Sequence, residues 1–511
     1  MAIATPNLSQ VKITQSLKPA TEAQLDALDA VIIWLPESGL QKRWPDFPHG
    51  QRLRKLLSDG AEALAPARAD LPNGRGTAVI VASVKKDASA FELLTLARKC
   101  VAKVKERRPK SLGVLLPAHA DSEQGRLAEA LVAAVAASGF EPPSFKRKPE
   151  PHHAIAQLTL FAGAQRLDFR RTLAAAEGNA LARWLTMLPA NHLTPTHYLA
   201  YAQQLARKHG WQVEFLGTKR LKTLGAGAFL AVCQGSASDD AGILRLSYRP
   251  RAGKSKTKPS TKARAQAKSG AVALVGKGIC YDTGGVNLKS AKSMNGMHGD
   301  MQGSAVALGT LLALTRLEVA FPVEISLALA RNEIGPGAYT PNEVIRAANG
   351  VHIEIVHTDA EGRMVLADTL ALAAARKPKI LIDYATLTGS CITALGTRYS
   401  GAFCNRPSLA TAVAAAGQHS GERVWPMPMD ADYDEELESK VADVKQCLLE
   451  SDADHILAAR FLSRFVPDEI PWVHVDLASA EHKEGLAHVP TAVTGFGVRF
   501  TLDLLLDQRA P

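Results

Sequence analysis

Short apolar runs alternate with amphipathic stretches over the first third of the chain. AVIIWL (30–35), AVIVASV (78–84), LGVLL (112–116) and AIAQLTLF (154–161) are rich in Val, Ile and Leu, which predicts short buried strands. Between them, ELLTLARKCVAKVKE (92–106) and GRLAEALVAAVAAS (125–138) repeat apolar residues at helical spacing. Strands alternating with helices imply a parallel α/β sheet. LDFRRTLAAAEGNALARWLTML (167–188) reads as one long helix, stopped by Pro189. PTHYLAYAQQLARKH (195–209) is helical and WQVEFL (211–216) strand-like, and AFLAVCQG (228–235) and AGILRLSY (241–248) continue the alternation. AVALVGKG (271–278) starts a further strand, with helices expected near 303–316 and 364–377 and strands near 323–330, 352–356 and 379–384.

The expected fold is therefore α/β in two parts. A smaller N-terminal α/β domain (1–165) is joined by a linking helix (166–190) to a larger C-terminal α/β domain (191–511). The central sheet of the larger part is expected to be mostly parallel or mixed, flanked by helices. At 511 residues the chain has ample length for such cores.

Composition narrows the class. With 46% hydrophobic and 22% charged residues, disorder of most of the chain is excluded. No apolar run approaches the ~18 residues of a membrane span. The opening MAIATPNLSQVKIT has no basic segment followed by an apolar one, so a cytoplasmic protein is expected. The net charge of +10 is local: eight basic residues and no acidic one fall between Arg249 and Lys268, and leaving them out takes the balance to +2. The basic, low-complexity stretch 249–270 reads as a loop. Six scattered cysteines without a CxxC pair read as free thiols.

The candidate chemistry gathers in three segments. VGKGICYDTGGVNLK (275–289) brings Lys277, Asp282 and Lys289 with several glycines to the end of a strand, where ligands bind in open α/β sheets. Asp300 follows in MHGDMQG. HTDAEGR (357–363) holds Asp359, Glu361 and Arg363 at alternate positions, which an extended backbone points to one side. Four carboxylates converging on one place repel each other, and two divalent cations balance them. That is the arrangement a two-metal hydrolase needs. Asp300 as a helix cap and HTDAEGR as a solvated turn are the plain alternatives. The absence of HExxH and of GxxxxGK[ST] argues against a single-zinc protease of that type and against a P-loop.

These three segments closely resemble the leucyl (cytosol) aminopeptidase family of di-zinc metallopeptidases. The likeness runs on through DYATLTGSCITALG (383–396) and WPMPMDADYDEELESKVADVK (425–445) and covers most of residues 190–500. The resemblance implies that 191–511 is the catalytic metallopeptidase domain. It places metal ligands at Lys277, Asp282, Asp300, Asp359 and Glu361, with Asp282 and Glu361 bridging two divalent ions, zinc or manganese. It places catalytic residues at Lys289, which polarises the scissile carbonyl, and Arg363, which holds a proton-shuttling bicarbonate. Beside cations, Lys277 is expected to act as a neutral amine. Met297, Thr386 and Gly389 are implied to line an apolar pocket for a leucine-like first residue. The implied substrates are peptides with a free N-terminus, cleaved by a water between the metals, and the implied assembly is a homohexamer.

The chain also departs from the family pattern. His357 stands for Asn, Met364 for Leu, and Ser290 and Lys292 for Pro and Gly beside Lys289. ARNEIGPGAYTPNEV (330–344) lacks the usual Glu, Arg and Gly-Asp. None of these removes a ligand or catalytic residue, which argues against an inactive scaffold. The basic stretch looks inserted, which leaves a nucleic-acid-binding or regulatory role as the alternative. Its lack of aromatic residues for base stacking counts against that role.

Overall fold

A computed structural model of the chain describes residues 11–37, 46–57, 66–117, 119–161, 163, 165–250 and 270–508. Six strands form the first sheet: Lys12–Ser16 (β1), Ala30–Pro36 (β2), Ala67–Asp70 (β3), Ala78–Val84 (β4), Ser111–Leu115 (β5) and Gln157–Phe161 (β6). They lie in the order β1-β6-β5-β2-β4-β3, all parallel except β3, which runs antiparallel to β4. The apolar runs are β2, β4, β5 and β6. β1 (KITQS) and β3 (ARAD) lie at the edges and carry too few apolar residues to stand out in the sequence. The helix Ala90–Lys105 starts with a reciprocal cap: the Ser89 hydroxyl accepts from Glu92 N, and the Glu92 carboxylate accepts from Ser89 N at 2.9 Å.

The second, eight-stranded sheet is mixed. Its strands are drawn from Gln212–Gly217 (β7), Gly242–Tyr248 (β8), Val272–Asp282 (β9), Val323–Asn332 (β10), Ile380–Ala385 (β13), Ser400–Cys404 (β14), Val424–Pro426 (β15) and Trp472–Asp476 (β17). Val344–Arg346 (β11), His352–Glu354 (β12) and Val444–Lys445 (β16) make a small third sheet. The large sheet has the order β15-β14-β17-β13-β9-β10-β8-β7. Its centre, β17, β13, β9 and β10, is parallel, and antiparallel pairs begin at β14 and β8.

The centre is buried on both faces, as parallel sheets require. Val272 and Leu274 of β9 join the cluster built on the helix Gln302–Arg316. Ala273 and Val275, on the opposite face, join the cluster built on the helix Glu361–Ala374. The helix Arg170–Thr186 packs on Gln302–Arg316 through Gly178 and Gly309. A Cβ on either glycine would stand 2.3 Å from the other's carbonyl oxygen, so only glycine allows this spacing. The first sheet is tied to the second by the segment that follows β17. Leu486, Val489 and Phe496 enter its core, and Arg98 donates to the carbonyls of Glu484 and Ala487.

Because its central strands are parallel, their carboxyl ends meet on one edge. Asp282 ends β9, Asn332 ends β10, Thr386 follows β13 and Asp476 ends β17. No helix among the described residues is long and apolar enough to cross a membrane. All six cysteines are free. The basic stretch 249–270 lies outside the described residues, apart from Arg249, Pro250 and Gly270; Arg249 pairs with Glu324 at 2.6 Å.

Candidate active site

Strand β9 carries Lys277 in its interior and Asp282 at its end, both buried. The chain then turns sharply at Gly284 and Gly285, whose φ angles of +87° and +65° suit glycine. A Cβ at Gly284 would also press within 2.5 Å of the Asn287 carbonyl. The turn folds the chain back so that Lys289 returns beside Asp282. There Lys289 Nζ stands 2.9 Å from Asp282 Oδ2 and also contacts Asp359. The other Asp282 oxygen accepts from Gly284 N at 2.8 Å and from Asn332 Nδ2 at 2.9 Å.

Asp300 follows a short 3-10 turn, Met297–Gly299, and does not cap the next helix. Its Oδ1 instead takes Lys277 Nζ at 2.8 Å and the Thr386 hydroxyl at 2.9 Å. Lys277 Nζ also reaches Glu361 Oε1 at 2.9 Å and the Thr386 carbonyl at 3.0 Å. Thr386 thus braces the two charged groups as well as lining the cavity. That cavity measures about 440 Å³. Lys277, Asp282, Lys289, Met297, Asp300, Asp359, Glu361, Thr386 and Gly389 all line it.

Arg363 is the exception. The extended HTDAEGR geometry expected from the sequence is not what forms, because a helix starts at Glu361. Helical residues two apart lie about 200° apart around the axis, so Glu361 and Arg363 face opposite ways. Glu361 faces the cavity. The Arg363 guanidinium, buried behind it, is held by both oxygens of Asp454 and by the Gln446 carbonyl.

Electrostatics at the cavity are unbalanced. Asp282, Asp300, Asp359 and Glu361 bring four negative charges, and Lys277 and Lys289 return two positive ones. Burial raises Glu361 to about 8, helped by Asp282, and Asp300 to about 6 against the pull of Lys277. Burial also raises Asp359. For Lys277 burial alone acts downward, but Asp300, Glu361 and Asp282 outweigh it and raise its pKa. The downward shift expected from the sequence requires the opposing charge of cations. Asp300 Oδ2 and Glu361 Oε2 are buried with no hydrogen-bond partner. One carboxylate oxygen each from Asp282, Asp359 and Glu361 fall within 4.8 Å of one another. Orphaned acceptors, surplus negative charge and clustered hard oxygens are a donor set that fits divalent cations.

Several residues that hold the site were not singled out in the sequence. Asn332 Nδ2 joins Asp282 to the Thr358 carbonyl, and Tyr339 OH donates to the same carbonyl at 2.9 Å. Thr358 and Asn287 exchange bonds that stitch the two loops together. Gln446 accepts from Val356 N and His357 N and donates to the Ala360 carbonyl, bracing the loop that carries Asp359. Position at the end of a predicted strand was a usable signal for Asn332, as was membership of the HTDAEGR motif for Thr358. Gln446 had none.

The description "Cytosol aminopeptidase family, catalytic domain" matches residues 180–502 of this chain. The chain belongs to the cytosol aminopeptidase family. A probable cytosol aminopeptidase of Polaromonas sp. (strain JS666) is 36% identical over 443 residues, covering 86% of this chain and 82% of that protein. A tomato leucine aminopeptidase mutant superposes with a TM-score of 0.82 at 26% identity, covering 98% of this chain and 97% of its own. The bottromycin maturation enzyme BotP in complex with Mn gives a TM-score of 0.75 at 30% identity, covering 94% and 99%. As a cytosol aminopeptidase family member the chain is a hydrolase of peptides, in a family that is metal-dependent, and the residues lining the cavity at the strand ends fall within the matched segment 180–502.

Proposed function

We propose that this cavity removes the first residue of peptides with a free N-terminus, preferring leucine-like or other apolar side chains. The observation that carries the reading is the convergence of four carboxylates from separate segments, with two lysines among them, on one cavity at the carboxyl ends of parallel strands. Lys277, Asp282, Asp300, Asp359 and Glu361 would hold two divalent ions, zinc or manganese, with Asp282 and Glu361 shared between them. Two such ions, when bound, would acidify the attacking water and withdraw charge from the scissile carbonyl.

The chain's own residues account for the rest. Asp300 and Thr386 orient the substrate's amino terminus, which limits cleavage to the first peptide bond. Lys289 supplies a fixed positive charge where the carbonyl oxygen becomes negative. Met297, Ile392 and Leu477 give the cavity its apolar wall, with Gly389 leaving room for the first side chain.

The division into 1–165, 166–190 and 191–511 rests on the alternation of strands and helices and the cytoplasmic location on the character of the opening segment, while the homohexamer rests on the resemblance. Bicarbonate at Arg363 does not fit, since Asp454 already holds the guanidinium. The test is hydrolysis of a panel of amino-acid amides and N-acetylated controls by protein of measured metal content, before and after chelation. Cleavage of leucyl amide that needs the free amine and bound metal is expected. Activity that survives complete metal removal overturns the reading.

A further inference from the structure

Arg363 is almost fully enclosed, and both of its terminal nitrogens have partners. Nη2 donates to Asp454 Oδ1 and Oδ2, both at 2.8 Å. Nη1 donates to the Gln446 carbonyl at 3.1 Å. Nε is buried with no partner, so that edge is closed to solvent as well. An anion arriving from solution therefore finds no exposed donor on this guanidinium. A carboxylate is also the nearest match among side chains to a bicarbonate ion: both are planar, singly negative and able to offer two oxygens to one guanidinium.

Asp454 is built for this place. It opens the helix Asp454–Ser463, where a negative charge is favoured by the helix dipole. The next residue is tied down too: the Ser390 hydroxyl accepts from His455 N at 2.9 Å and meets His455 Nδ1 at 3.0 Å. From Arg363 the contacts run on to the loop that carries Asp359. Gln446, which receives Arg363 through its carbonyl, uses its side-chain amide to fix the backbone of Val356, His357 and Ala360 around Asp359.

We propose that Asp454 is a built-in anion: its carboxylate holds Arg363 in place of bicarbonate, fixes the Asp359–Glu361 segment through Gln446, and makes the enzyme independent of added bicarbonate. Asp454 is thus a positioning residue. The proposal rests on the peptidase reading of the cavity, but part of its test does not.

The first measurement is binding of ¹³C-bicarbonate to the unaltered, metal-loaded protein, followed by NMR line broadening, with Arg363→Lys as the control. No broadening that depends on Arg363 is expected, and broadening that disappears in the control overturns the proposal. This arm decides the assignment even if no amide is cleaved, an outcome that would sink only the peptidase reading. The second measurement is turnover of leucyl amide in carbon-dioxide-depleted buffer against buffer with bicarbonate. The unaltered enzyme is expected to change less than about twofold, whereas Asp454→Ala, which opens the space, should lose about 10–100-fold, as loss of a residue supporting metal ligands does. Bicarbonate or formate should restore much of that loss, which a merely structural defect would not allow. A several-fold rise of the unaltered enzyme with bicarbonate overturns the proposal, as does a folded Asp454→Ala protein that no small anion rescues. Asp454→Asn keeps the shape and guards against misfolding of the alanine variant; full activity in it also overturns the positioning role.

Discussion

Lys289 Nζ lies 2.9 Å from Asp282 Oδ2, although a glycine turn separates the two residues along the chain. Asp282 does not depend on this contact to keep its place, because its other oxygen is held by Gly284 and Asn332. Lys289→Ala should therefore remove a charge without releasing the ligand. On leucyl amide, kcat is expected to fall about 10²–10³-fold, the usual effect of losing one donor to a developing oxyanion. Metal content and the unfolding midpoint should scarcely move. An unchanged kcat at normal metal content would take Lys289 out of the mechanism.

Asp282 itself belongs to the cluster of carboxylate oxygens within 4.8 Å of one another. Asp282→Ala should abolish detectable turnover and lower the content of both metals together, since the proposed role is shared between them. Elemental analysis after gel filtration reads this directly. Loss of a single equivalent, or retention of most activity, would refute the shared role.

Much of this site was readable from three short segments, because their residue types are determined by local chemistry. A glycine-rich turn at a strand end and closely spaced carboxylates point to the place, but spacing alone leaves a solvated turn and a helix cap open, and the ligand and catalytic roles come from the family resemblance. What the sequence hid is tertiary. An extended backbone would set Arg363 on the same side as Glu361, whereas the helix beginning at Glu361 turns it toward Asp454. Gln446 and Asp454 act from distant segments and fit no local pattern. The edge strands β1 and β3 were missed for a similar reason. Their stability comes from pairing with β6 and β4 rather than from an apolar run of their own.

The Gly178–Gly309 contact gives a test of the fold that is independent of catalysis. A methyl group at position 178 would meet the Gly309 carbonyl oxygen at 2.3 Å, and backbone cannot swing aside as a side chain can. Gly178→Ala should thus cost about 1–3 kcal/mol despite its better helix propensity. Urea unfolding of the two proteins side by side measures it. A neutral or stabilising effect would show that the two helices can separate without loss.

A pH effect on stability follows from Glu422, which lies away from the cavity. Its Oε2 accepts from Gly497 N at 2.8 Å and Phe500 N at 2.9 Å, while Oε1 is buried without a partner. Burial pushes its pKa up to about 7 against the opposing effect of these bonds. An unfolded glutamate titrates near about 4.3. Between those values the folded chain keeps a proton that the unfolded chain has released, so stability falls as pH rises. The contribution is complete below about pH 4.3 and gone once the pH has passed the folded value of about 7. Glu422→Gln cannot ionise and keeps an oxygen for both backbone donors. Groups common to both proteins cancel in the difference between them, so the variant should gain on the unaltered protein with rising pH, by on the order of 1–3 kcal/mol across the window. Melting temperatures of the pair, taken at one scan rate at each pH, follow this difference. Curves that stay parallel from acid to neutral pH would mean that Glu422 titrates in the folded chain as it does in water.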